Sequence, residues 1–264
     1  MHLNLSICST NLLTQKQQEE TADLTAVCHH HDQNDLTYPL EETEITHFLA
    51  YLPDGTLAAC LALIPYEEGL AECCAFTHPD FRNQGIFSRL LEEGLSHIPD
   101  SDLLFAVSES CQDTVKTLAA LGAEKESEEL MMECVLASCS CFHVTQTAAA
   151  SAAPSHSPSI TSGSFSLHQT SASEFCLYQG DLRLGTAFAE PVREGTVCLH
   201  HVEILPEYRH QGLGTVFFTL LLPALASQGF QTALLQVAGD NMPAIALYKK
   251  TGFSVTKTLS YYFY

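Results

Sequence analysis

The strongest constraint in this sequence is an internal duplication. Pro79-Asp80-Phe81-Arg82-Asn83-Gln84-Gly85-Ile86 reappears as Pro206-Glu207-Tyr208-Arg209-His210-Gln211-Gly212-Leu213. Upstream, Pro65-Tyr66-Glu67-Glu68-Gly69 is mirrored by Pro191-Val192-Arg193-Glu194-Gly195. Downstream, Ala120-Leu121-Gly122-Ala123 is mirrored by Lys250-Thr251-Gly252-Phe253. The shared features keep their order and a nearly constant separation, too long for a solenoid period, so the chain holds two copies of one domain. A length of 264 residues is ample for two cores. Residues 143–164 are rich in Ala, Ser, Thr and Pro and carry no acidic side chain, Lys or Arg. Such a stretch cannot build a core and reads as a linker. The expected division is an N-terminal lobe at 1–142, a linker at 143–164 and a C-terminal lobe at 165–264.

Each copy reads as the same run of elements. A hairpin opens it, Phe48–Leu52 with Leu57–Ile64, or Phe175–Tyr178 with Leu182–Ala189. A strand follows (70–76 or 196–204), then the Arg-x-Gln-Gly turn and a helix (86–97 or 213–227) whose apolar residues recur at helical spacing. Pro223 is expected to kink the longer helix. A strand (103–107, 233–238), a second helix (112–121, 242–251) and a final strand pair or strand (about 127–136, 253–264) complete each copy. The pattern predicts an α/β class with a mixed sheet. Residues 1–45 add a strand and one or two helices to the first copy alone, leaving the second without part of its wall, which the first is expected to supply.

Composition narrows the function. The formal charge of −20 argues strongly against a nucleic-acid binder, which would show a basic stripe; it suits solubility or attraction of a cationic substrate. No apolar run spans a bilayer and the N-terminus lacks a signal-peptide layout, so a cytoplasmic protein is expected. The 11 cysteines form no CxxC pair, which argues for reduced thiols and no metal. His29-His30-His31 cannot all face one ion and read as a helix C-terminal cap.

The segment Arg209-His210-Gln211-Gly212-Leu213-Gly214-Thr215 lies between a strand and a helix. A helix start offers unpaired N–H groups and partial positive charge, and glycines let an anion approach closely. Thr215 adds a hydroxyl. The turn suits a pyrophosphate.

With its context this segment resembles the GNAT superfamily of acyl-CoA N-acyltransferases. The signature R/Q-x-x-G-x-G/A is matched by Arg209, Gly212 and Gly214, and the preceding strand end by Ile204-Leu205-Pro206. The later N-x-x-A-x-x-L-Y-x-x-x-G-F segment is matched by Asn241, Ala244, Leu247, Tyr248, Gly252 and Phe253. The likeness covers about 175–264, and more loosely 1–136. It implies two tandem lobes of that fold, with acetyl-CoA as cosubstrate. Its pyrophosphate would lie on residues 209–215, and Asn241 would join the cofactor-binding set. The strand end bearing Val202 and Ile204 would pair with pantetheine and polarise the thioester. A primary amine would attack directly, without an acyl-enzyme. Tyr248 stands where the family has a tyrosine able to protonate the departing thiolate; the other reading is a core aromatic. Lys249-Lys250 is open between a 3′-phosphate contact and a solvated face.

The base is open among His200, His201 and Glu203. Alternation sends His200, Val202 and Ile204 to one face and His201 and Glu203 to the other, unless a bulge intervenes. In the first copy Phe87 replaces the second glycine, Leu118 replaces Tyr248 and Cys111 replaces Asn241, so that lobe reads as degenerate. The alternative function is an acyl-CoA-binding module without turnover. The acceptor stays open, as does the choice between monomer and homodimer.

Overall fold

The run Leu57–Leu63 is buried at every residue, and a strand buried on both faces needs a cover on each. A computed structural model describes residues 4–41, 44–137 and 164–264; the expected linker lies outside these residues apart from Ser164. The chain divides into two compact units, Met1–Glu128 with Thr258–Tyr264 (unit 1) and Glu129–Lys257 (unit 2).

Unit 1 contains β1 (Ser6–Thr10), α1 (Gln15–Asp32), β2 (Thr46–Tyr51), β3 (Leu57–Glu67), β4 (Leu70–Thr77), α2 (Ile86–His97), β5 (Asp102–Ser108) and α3 (Gln112–Leu121). Thr14 and Gln17 close a capping box at the start of α1, satisfying two orphan donors. Leu24 and Cys28 of α1 pack with Leu49, Cys60 and Phe76 on one sheet face. Ile86, Leu90 and Leu91 of α2 pack with Leu61, Leu63 and Leu103 on the other. These two layers account for the unbroken apolar run of β3.

Unit 2 contains β7 (Phe165–Gln169), β8 (Glu174–Gln179), β9 (Leu182–Arg193), β10 (Thr196–Ile204), α4 (Leu213–Ser227), β11 (Thr232–Ala238) and α5 (Met242–Lys250). Phe217, Phe218, Leu221 and Leu225 of α4 join Val197, Leu199 and Leu235 in its core. The helix runs as one element through Pro223 to Ser227. Among the described residues, unit 2 has no helix in the place that α1 takes in unit 1, so helices of its own cover only the α4 face of its sheet.

The last strand of each copy departs from expectation. In β6 (Glu124–Val135), residues Glu129–Val135 pair antiparallel with β11 in unit 2. In β12 (Ser254–Phe263), Leu259–Phe263 pair antiparallel with β5 in unit 1. Met132 and Cys134 are in the unit 2 core, and Tyr262 is in that of unit 1. Alternating polarity fixes which face of a strand is buried but not which of two similar edges it joins.

Candidate active site

β10 and β11 pair in parallel only from Thr196–Leu199 against Thr232–Leu235. Beyond Leu199 the two strands continue without a shared ladder, and β10 presents an edge unpaired among the described residues.

On its other edge β10 carries a bulge. His200 faces Phe188 and Glu203 faces Thr186, so His201 and Val202 stand opposite Ala187 alone. His201 absorbs the extra residue with φ at 48°, an uncommon conformation for a non-glycine residue. The bulge reverses the strand's parity. Val197 and Leu199 face the α4 core before it, and Val202 and Ile204 pack against that core after it. His200 is therefore not on the face of Val202 and Ile204, where simple alternation would put it. It joins His201, and the two rings meet through Nδ1 atoms 2.7 Å apart.

The surroundings of these candidates differ. His200 stacks on Phe188, with ring centroids 5.5 Å apart. Its Nε2 is buried without a hydrogen-bond partner among the described residues, and Glu190 Oε2 lies 3.6 Å away, just beyond bonding reach. His201 is exposed. Glu203 is engaged, accepting from Arg209 Nη2 at 2.9 Å, while Arg209 Nε donates to Ile204 O at 2.9 Å. Arg209 thus ties down the strand end through its side chain.

After β10, a short 3₁₀ turn at Pro206–Tyr208 leads to α4. His210 (φ 63°) and Gly212 (φ 78°) are both left-handed. The amides from His210 to Gly214 have no partner among the described residues, as expected of a loop entering a helix. A Cβ at Gly212 would have nothing within 4 Å, so this glycine serves conformation and leaves an open cradle. Gly214 has a different reason from the one expected. Its Cβ would come within 2.7 Å of Leu247 Cδ2, so it lets α4 approach α5. Gln211 is exposed, Thr215 is half-buried, and Leu213 is buried in the core, leaving its backbone for any ligand.

Asn241 caps α5, its Oδ1 accepting from Ala244 N at 3.2 Å. Tyr248 is 8% exposed and meets Phe218 edge-on at 5.5 Å. Burial pushes its hydroxyl up from the ordinary value, keeping it a protonated donor near neutrality. It is thus a core aromatic whose hydroxyl stays protonated. Thr215, Phe218, Thr219, Leu222, Pro223, Lys250 and Thr251 line a cavity of about 140 Å³. The sequence alone does not single out Gly185, Phe188 or Glu190. No local motif marks them; β9 register alone brings them to β10.

Unit 1 keeps the turn but not the rest. Asn83 (φ 59°) and Gly85 (φ 75°) repeat the left-handed pair. The β3–β4 register runs unbroken from Ala71 to Thr77, without a bulge. Arg82 is held by both Asp32 oxygens at 2.8 and 2.7 Å, and Asn34 donates to Cys111 Sγ at 3.0 Å. Leu118, 1% exposed, fills the tyrosine position. His29 is half-buried and bonded to Leu36 O, while His30 and His31 are exposed. Among the described residues no His, Cys, Asp and Glu cluster of three could hold a metal. No helix among them is long and apolar enough to cross a membrane.

A strand that parts from its neighbour, an amide-lined turn and a helix behind it, with the turn and helix present twice, define a tandem acyltransferase fold. The family model "Acetyltransferase (GNAT) family" matches residues 13–122 and 147–253, and the chain belongs to that family. Mycothiol acetyltransferase of Streptomyces bingchenggensis (strain BCW-1) is 40% identical over 57 residues, 22% of this chain and 18% of that protein. The [ribosomal protein bS18]-alanine N-acetyltransferase of Escherichia coli (strain K12) is 38% identical over 56 residues, 21% and 38% of the two chains. The chain thus spans well under two thirds of these relatives. Among solved structures, a GCN5-related N-acetyltransferase from Sphaerobacter thermophilus has a TM-score of 0.67 at 13% identity, covering 98% of this chain and 95% of that one. A tandem GNAT protein from the clavulanic acid biosynthesis pathway has a TM-score of 0.62 at 15% identity, covering 99% and 98%. At these identities the likeness is one of fold.

Proposed function

We propose that the protein transfers an acetyl group from acetyl-CoA to a primary amine by direct attack, with the chemistry in unit 2. The observation that carries this reading is the β10 edge running into five amides, His210 to Gly214, at the start of α4, edge and amides alike unpartnered among the described residues. Amides fixed in this way stabilise a diphosphate at one end and a developing oxyanion at the other without reorganising. Pantetheine lies along Val202–Ile204, and the pyrophosphate on His210–Thr215. Asn241 flanks the cleft, and the cavity beside Lys250 takes the nucleotide end.

Tyr248 supplies the proton for the departing sulfur, and the strand candidates His200, His201 and Glu203 supply the base. The Arg209 contact makes Glu203 the weakest of the three. The reaction takes place in the cytoplasm, in a monomer or homodimer, without metal or nucleic acid. An amine panel assayed for CoA release from acetyl-CoA tests this reading. Release with at least one amine supports it. Binding of acetyl-CoA without release under any amine favours a binding module.

A further inference from the structure

We infer that Glu190, His200 and His201 form a carboxylate–imidazole–imidazole chain whose exposed end, His201 Nε2, is the base that deprotonates the amine. This inference rests on the acetyl-transfer reading and selects one residue from its three candidates.

The geometry fixes the direction of the chain. A bare lone pair on the buried His200 Nε2 would face the Glu190 carboxylate oxygen 3.6 Å away with no donor to satisfy it, a repulsive arrangement that a hydrogen on Nε2 removes. Nε2 therefore carries the hydrogen, and His200 Nδ1 is an acceptor. The 2.7 Å contact then requires His201 Nδ1–H as donor. A neutral His201 holding its proton on Nδ1 has its lone pair on Nε2, the exposed side of the pair. His200 has neither nitrogen open: one is bonded to His201 and the other is buried.

The bulge at His201 makes the chain possible, because consecutive residues of a regular strand point to opposite faces. Phe188 holds both rings, stacked on His200 and edge-on to His201 at 6.0 Å. The ionisable groups around His201 on its own strand are Cys198, His200 and Glu203, the last neutralised by Arg209; β9 adds Glu190.

The step balances. The acceptor ammonium gives one proton to His201 Nε2, and the freed amine pair attacks the thioester carbon. The C–S bond breaks with its electrons on sulfur, which takes the Tyr248 proton. The amide nitrogen loses its second proton through water to restore Tyr248, and His201 passes its own to solvent. His200 and Glu190 are positioning residues: they hold the tautomer and face the positive charge that His201 acquires.

The test combines histidine ¹⁵N NMR of the full chain with pH–rate profiles for acetyl-CoA consumption. The spectra should show His200 protonated at Nε2 and His201 at Nδ1, with His201 switching in Glu190→Gln; this readout stands even if no amine is turned over. His201→Asn keeps a residue that tolerates positive φ but supplies no base, and kcat should fall about 100-fold with little change in KM for acetyl-CoA. Glu190→Gln should lose about threefold to tenfold in kcat. His201 protonated at Nε2 in the wild type, or near-wild-type turnover in His201→Asn, would overturn the inference. Absence of turnover in the wild type, with the predicted tautomers present, would sink the enzymatic reading and leave the chain standing.

Discussion

Arg82 grips both carboxylate oxygens of Asp32, joining the loop after β4 to the end of α1 inside unit 1. Both side chains are mostly buried, at 18% and 14% exposure. Burial works to raise the Asp32 carboxyl, but bonds from Arg82 and His31 outweigh it and the net shift is downward. A depressed carboxyl stabilises the fold above its unfolded value and ceases to do so as pH falls through the folded one. Asp32→Asn should cost about 3 kcal/mol at neutral pH. The gap to wild type should shrink as pH drops past the ordinary value of 3.8, and urea melts at neutral and acidic pH will measure it.

Gly185 sits opposite Ile204, and a Cβ there would meet Glu203 O at 2.5 Å. Backbone cannot swing aside, so Gly185→Ala should displace β10 near its bulge and cost about 3 kcal/mol. Thermal melts should show the loss, and acetyl-CoA affinity should fall with it.

Gly214 meets the far end of a flexible side chain, Leu247, so the response there should be graded. Alanine should be tolerated as Leu247 rotates, while Gly214→Val should cost about 2 kcal/mol. Adding Leu247→Ala to Gly214→Val should recover part of that stability, a coupling that a double-mutant cycle will reveal.

Tyr248→Phe keeps the packing against Phe218 and Phe253 but removes the acid. The melting temperature should stay within a few degrees while kcat drops about 100-fold. Because burial raises the wild-type hydroxyl above its usual 10.0, the wild-type alkaline limb should lie above that value. Full activity in Tyr248→Phe would remove it from the mechanism.

Calorimetric titration with acetyl-CoA should give one site per chain. Unit 1 repeats the left-handed pair of the turn, yet its strand has no bulge and its Arg82 and Cys111 are engaged by Asp32 and Asn34. A stoichiometry of two would show that unit 1 also accepts the ligand.

Much of this is legible in the sequence because local signals are strong where glycine, proline and periodicity act together. The helix spans 86–97 and 213–227 agree with α2 and α4, and the turn has its left-handed glycine at Gly212. Long-range register is not legible. One inserted residue at His201 moves His200 onto another face, and nothing in His200-His201-Val202-Glu203 announces where the insertion is absorbed. Glu190 and Gly185 gain meaning only through β9, ten or more residues away in the chain. Gly214 reads in the sequence as a ligand approach, but its cause lies in Leu247 on a helix formed later in the chain.

The placement of Leu259–Phe263 against β5 has a consequence for how the molecule is made. During synthesis, the sheet of unit 1 stays one strand short until nearly all of unit 2 has left the ribosome. The newborn half thus carries an open edge beside Leu104–Ser108 for most of that time, the sort of edge that invites wrong partners. A fusion or truncation near Tyr264 would be felt first in unit 1, most of which precedes unit 2 in the chain.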